Sequence, residues 1–232
     1  YSTFLQRSYD QLNHDIARMD LPVVIGIDRS GLVGEDGATH HGVFDIGILR
    51  PVPNLIIAQP KDALEAQQLL YTAFNQNHPF ALRYPRGNAY YSEVNTFETI
   101  EIGSWTCSIP LSAADLIVIA YGPDVDKIEH KATINQMNIA VINARFIKPL
   151  DTKILEELSL LQKPIVVYET DMLAGGLGSA ILEWNCDTGH ALDLHRIGLK
   201  DHFVEHGSVP QLRKDSQIDI NSLFNLIVSV LG

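Results

Sequence analysis

Glu35 and Asp36 precede His40 and His41 within the glycine-rich stretch 32-LVGEDGATHHG-42. Histidine exchanges protons near neutral pH, and a nearby acid can orient it or raise its basicity. Glycines on either side let the backbone come close to a bound molecule. Three readings follow: a metal site, a loop for acid–base work or polar substrate contact, or a plain polar loop. A metal needs ligands converging from at least three positions, and adjacent histidines such as His40 and His41 point apart. The acid–base reading, with Asp36 and His40 as its working pair, is the one these residues favour.

Such a loop needs a rigid rim to leave from, and the flanking sequence supplies one. The apolar run 21–27 ends in Asp28-Arg29-Ser30-Gly31 and reads as a buried strand. Further strands are expected at 55–58 and 80–84, the last stopping at Pro85-Arg86-Gly87. A helix starts between them, where Asp62 and Glu65 form a capping-box pattern. Strand, helix, strand in this order implies right-handed crossovers and a mostly parallel sheet. Ligands of such sheets gather at the carboxyl ends of the strands. Arg29, Arg83 and Arg86 all fall at strand ends, on the edge from which the 30–42 loop departs. Arginine's planar fork matches phosphate or carboxylate oxygens. For Arg29 and Arg86, anion binding and ordinary salt bridges both remain open.

Upstream of this strand, Leu5, Tyr9, Leu12, Ile16 and Met19 recur at helical spacing, with Ser2 or Thr3 placed to cap the helix. Residues 88–113 lose all periodicity and read as a linker with one or two short strands. Alternation then resumes, with strands at 116–120, 139–143, 165–168 and 192–197. Helices are expected from Pro123, at the first helical position, over 151–161, from the glycine run 175–178 through 185, and over 220–231. The fold class is therefore α/β, with two successive domains and mostly parallel sheets. The run 174-AGGLG-178 lacks dinucleotide-fingerprint spacing, so a tight packing turn is preferred over an anion cradle. The other histidines read as surface or structural, with His206, in 206-HGS-208, the one retained as a further candidate.

The 232 residues carry a net charge of −11, with 46% hydrophobic and 19% charged residues. That balance suits a folded globular chain and argues against non-specific binding to nucleic acid or acidic membranes. No apolar run approaches the ~20 residues of a membrane helix. An anionic substrate must be held by a few local cations. Cys107 and Cys186 fit neither a metal spacing nor a disulfide framework, which points to a reducing compartment. The start at Tyr1, without initiator Met or leader, reads as part of something longer.

The stretches YSTFLQRSYDQ, DRSGLVGEDGATHHGVFD, RYPRG, ARFIKPLD and ETDMLAGGLGS together resemble the 1-deoxy-D-xylulose-5-phosphate synthases. These are a thiamine-diphosphate-dependent family of the transketolase superfamily. The resemblance implies that residues 1–88 are the latter, incomplete part of a pyrimidine-binding domain. Residues 89–113 would be a linker and 114–232 a transketolase-type C-terminal domain. It implies condensation of pyruvate with glyceraldehyde 3-phosphate to 1-deoxy-D-xylulose 5-phosphate and carbon dioxide, a step toward isoprenoid, thiamine and pyridoxal precursors. By motif, Phe4 would stack on the cofactor's aminopyrimidine, and Tyr1, Arg29 and Arg86 would hold the sugar phosphate. Asp36 and His40 would contact the reacting groups, while Arg7 stays unassigned. The glutamate that activates the cofactor and the magnesium-binding motif would lie upstream, so this chain alone would be inactive. A homodimer, in bacterial cytoplasm or a plastid, is implied with them. Two alternatives stand beside this reading: the β-subunit of a 2-oxoacid dehydrogenase, and a non-catalytic dimerisation module.

Overall fold

The computed structural model describes residues 1–89 and 96–232. Two sheets make up its centre. β1 (Val24–Ile27), β2 (Ile56–Ala58) and β3 (Phe80–Arg83) are parallel, in the order β1-β3-β2. The sheet's far edge is closed by β7 (Phe146–Lys148), antiparallel to β2, which arrives from much later in the chain. The second sheet runs β4-β6-β5-β8-β9. There β5 (Leu116–Ala120), β6 (Ile139–Asn143), β8 (Ile165–Met172) and β9 (Leu194–Leu199) are parallel. β4 (Thr106–Cys107) is antiparallel and falls inside the stretch expected to link the halves.

β5 and β6 are buried along their whole length because helices cover both faces, which is why they read as unbroken apolar runs. One hydrophobic cluster joins Ile27, Ile57 and Ala81 of the first sheet to Ile119, Ile142 and Val167 of the second. Each fully buried aliphatic side chain there contributes about 1.5–3 kcal/mol. The two sheets thus share a core, and the loops at their strand ends are held against one another.

Several expected boundaries move. Ser2 does not cap the first helix but lies inside it: α1 spans Ser2–Leu5, Tyr1 precedes it, and no side chain caps it. The Ser2 N–H donates to the Asp28 carbonyl at 3.0 Å, so the helix start is tied to the end of β1. β1 begins at Val24, since Pro22 has no N–H to give to a ladder. Pro123 sits at the N-cap of α5 (Asp124–Ile134) and not at its first helical position. β8 continues to Met172 because β9 keeps pairing with it as far as Leu199. One half of the capping box forms: Asp62 accepts from the Glu65 N–H at 2.8 Å at the start of α4 (Ala63–Phe74). Glu65 reaches back to the N–H of Lys61 at 2.7 Å, not to that of Asp62. The short helices α3 (Asp45–Leu49) and α8 (Val209–Asp215) had no expectation.

Candidate functional site

The opening loop leaves β1 through a narrow neck. Gly31 and Gly42 exchange backbone hydrogen bonds of 2.7 and 2.8 Å, closing residues 32–41 into a loop with adjacent ends. A Cβ on Gly42 would lie 2.2 Å from the Arg29 carbonyl oxygen and 2.6 Å from the Ser2 side chain, so glycine alone fits there. The Ser30 N–H donates to the Tyr84 carbonyl at 3.0 Å, fixing the neck to the end of β3.

Around that neck the structure assembles the expected residues. Arg29 has a left-handed φ of 58°, a conformation costing roughly 1–2 kcal/mol for a side-chain-bearing residue. Its guanidinium carbon lies 4.5 Å from the centre of the Tyr1 ring. Tyr1 meets Phe4 edge-on at 4.9 Å, and Phe4 meets His40 edge-on at 5.6 Å. Tyr1 and His40 lie 6.0 Å apart. The Thr39 hydroxyl bonds His40 Nδ1 at 2.8 Å, while the Thr39 carbonyl accepts from the Thr3 hydroxyl at 2.9 Å. The helix start and the loop therefore brace His40 together. Asp36 is 3.9 Å from Arg86, and both remain well exposed at 44% and 59%. Phe4 is 39% exposed, with the Arg7 guanidinium 5.4 Å from its ring. The Ser2 and Ser30 hydroxyls at this neck are buried with no hydrogen-bond partner among the described residues.

Arg83 is not part of this rim. It is fully buried and bonded to Asp45 at 2.7 and 2.9 Å, Asp171 at 2.8 Å and Gln59 at 2.5 Å. The Tyr121 hydroxyl donates to Asp171 at 2.7 Å. Burial pushes the Asp171 carboxyl up from the usual carboxylate range, against the pull of Arg83. Asp45 opens α3 just past the loop, so this cluster pins the loop's outgoing end to the second sheet.

The glycine run also acts as an anion cradle, for the protein's own carboxylate. Glu169, on β8, accepts from the N–H groups of Leu177 and Gly178 at 2.6 and 2.9 Å. These open α7 (Leu177–Asp187), whose N-terminal end favours negative charge. A Cβ on Gly176 would stand 2.2 Å from a Glu169 oxygen. Burial nevertheless pushes Glu169 up to about 7, the two N–H bonds opposing it. The readable signal was a carboxylate, Glu169, directly after the apolar run 165-IVVY-168 and a few residues before the glycines. The network around Arg83 and the strand β7 had no such signal.

His41 and His206 lie on the loop's other side. His41 is buried, and His206 packs at Gly37, where a Cβ would lie 3.2 Å from that of His206. His40 and His41 do point apart. Among the described residues no three His, Cys, Asp or Glu side chains converge as a metal site. Nor is any described helix long and apolar enough to cross a membrane.

Comparison with known proteins places these features in a family. Residues 1–91 match the transketolase pyrimidine-binding domain family, and residues 107–223 match the transketolase C-terminal domain family. The chain is 48% identical over 217 residues to 1-deoxy-D-xylulose-5-phosphate synthase of Listeria welshimeri, covering 90% of this chain and 34% of that protein. It is 43% identical to the synthase of Aquifex aeolicus, covering 96% of this chain and 36% of that one. The chain thus spans about a third of the length of these relatives. Among solved structures, a split-gene transketolase described as an inactive β4 tetramer superposes with a TM-score of 0.83 at 24% identity, covering 100% of this chain and 74% of that one. Transketolase of Campylobacter jejuni gives 0.76 at 17% identity, covering 99% and 35%. At these identities the two likenesses speak to the fold alone.

Proposed function

The chain belongs to the transketolase superfamily, and from that premise we propose that it is part of a 1-deoxy-D-xylulose-5-phosphate synthase. The reaction is condensation of pyruvate with glyceraldehyde 3-phosphate, with loss of carbon dioxide. The observation that carries this reading is the rim on which Arg29 and Arg86 stand beside Asp36, His40 and the exposed Phe4. In a chain with net charge −11, two guanidinium groups at one strand edge suit a phosphorylated acceptor. The rival β-subunit of a 2-oxoacid dehydrogenase would have no use for them.

The residues present fit the ring end of thiamine diphosphate. Phe4 offers an exposed aromatic face, and the unpartnered Ser2 and Ser30 hydroxyls lie buried at the neck beside it. Phe4 would hold the aminopyrimidine. When bound, the cofactor would supply a cationic thiazolium ring as the sink for the electron pair released by decarboxylation. Tyr1, Arg29 and Arg86 bind and orient the phosphate of the acceptor. Asp36 and His40 hold or move a proton at the acceptor's aldehyde oxygen, and His40 is kept in place by Thr39 and Phe4. The cofactor-activating glutamate and the magnesium ligands belong to the further length that the relatives have. Residues 1–88, 89–113 and 114–232 serve as partial pyrimidine domain, linker and C-terminal domain. The working unit is a homodimer, in bacterial cytoplasm or a plastid.

The test is the full-length protein carrying this chain, given pyruvate, glyceraldehyde 3-phosphate, thiamine diphosphate and magnesium. Formation of 1-deoxy-D-xylulose 5-phosphate, read by mass, is expected, together with silence from the 232-residue chain alone. Turnover of pyruvate that does not respond to the aldehyde phosphate would overturn the reading.

A further inference from the structure

His41 stands next to a rim residue but takes no part in the rim. It is 2% exposed, and both of its ring nitrogens are engaged. Nδ1 accepts from the Val33 N–H at 3.2 Å, which leaves the ring proton on Nε2. Nε2 then donates to the Glu205 carbonyl oxygen at 3.1 Å. The same stretch of the second half meets the loop again, where the Gly207 N–H donates to the Gly34 carbonyl at 3.4 Å. Below these contacts, Leu32 and Val43 pack with Val204 and Leu212.

Within itself the loop has little to hold its shape. Past the neck, its own backbone bonds are the Gly37 N–H to Gly34 at 3.2 Å and the His40 N–H to Gly37 at 2.9 Å. Its central glycines resist no torsion. The placement of Asp36 and His40 on one rim therefore depends on what the loop leans on.

We propose that His41 is a positioning residue for the condensation, tying the loop to residues 204–207 so that Asp36 and His40 face the substrate in working geometry. The second half of the chain thereby takes part in the reaction without touching substrate. The chemistry favours an imidazole because one neutral ring presents an acceptor on one side and a donor on the other, spanning two backbone groups from different domains. Phenylalanine would fill the same space and leave the Val33 N–H and the Glu205 carbonyl unpaired. Glutamine would restore one acceptor and one donor. This inference rests on the reading of the loop as the one that meets the reacting groups.

The experiment uses full-length protein with His41→Phe and His41→Gln. Turnover and KM are measured alongside hydrogen exchange at the Val33 amide and melting temperature. His41→Phe should speed Val33 exchange and lower kcat about 10- to 100-fold, the scale of an ångström of misplacement. KM for the phosphorylated acceptor should change less than kcat, and His41→Gln should recover most of both losses. Unchanged Val33 exchange in His41→Phe would overturn the tether. Faster exchange with unchanged kcat would overturn the positioning role. Should His41→Phe not fold, His41→Leu, which also removes both ring nitrogens and with less bulk, is read by the same exchange and the same criteria. Wild-type protein lacking synthase turnover would strike the functional reading instead, while the exchange result still decides the tether.

Discussion

Arg83 and Arg86 sit three residues apart at the end of one strand, and each faces an aspartate near the same loop. Their surroundings are opposite. Arg83 and Asp45 are 0% and 2% exposed and bonded at 2.7 Å, whereas Arg86 and Asp36 are 59% and 44% exposed and 3.9 Å apart. A charge removed from water must be fully paired, so Arg83 is consumed by Asp45, Asp171 and Gln59. A loosely paired guanidinium in water keeps its donors for a ligand. Arg83 also reaches Asp171 on β8 and so joins the two sheets, whereas the outer pair leaves its polar atoms open to solvent.

Substitutions should separate the two pairs in kind as well as in size. Arg83→Met leaves Asp45 and Asp171 unpaired in the core and should cost about 3–5 kcal/mol of stability, read by denaturant unfolding. A loss below about 1 kcal/mol would erase the contrast. Glu169, another buried acid of the second half, should show itself through pH. Its folded value of about 7 lies above the ordinary carboxylate value, so the folded state holds the proton more tightly than the unfolded. Its contribution is therefore full below about pH 4.5 and is lost as pH rises through 7, on the order of 3 kcal/mol. Unfolding curves of Glu169→Gln should lack that slope, and an unaltered slope would assign it to another group.

On the rim the effects should fall on kinetics. His40→Ala should lower turnover about 100-fold, within the usual reach of a proton-handling side chain, and shift the melting temperature little. A large drop in melting temperature would make His40 a structural residue. Arg86→Ala should raise KM for the phosphorylated acceptor about tenfold and leave KM for pyruvate nearly unchanged. Equal losses for both substrates would remove the phosphate from its role.

Elements whose character is local are legible in the residues themselves. The strands at 116–120 and 139–143 and the helix 220–231 appear as expected, because buried parallel strands are continuous apolar runs and an amphipathic helix repeats at its own period. Strand-end logic also brought Arg29, Asp36, His40 and Arg86 to one edge. Boundaries failed where a distant partner decided them. β8 runs on to Met172 because β9 pairs with it, and β7 exists as a strand because β2 offers an open edge.

The residue types at the site were set by the sequence itself: acids, histidines and arginines beside glycines, at the carboxyl ends of strands, in stretches that resemble a known family. Which of them are free was decided only by tertiary packing. Neighbouring residue types do not by themselves say that Arg83 and His41 end up buried while Arg86 and His40 do not. The difference arises when Asp45, Asp171 and Glu205 arrive from elsewhere in the chain and surround one member of each pair. Exclusion of water then turns that member into a fastener and leaves the other at the surface, where its charge or proton remains available.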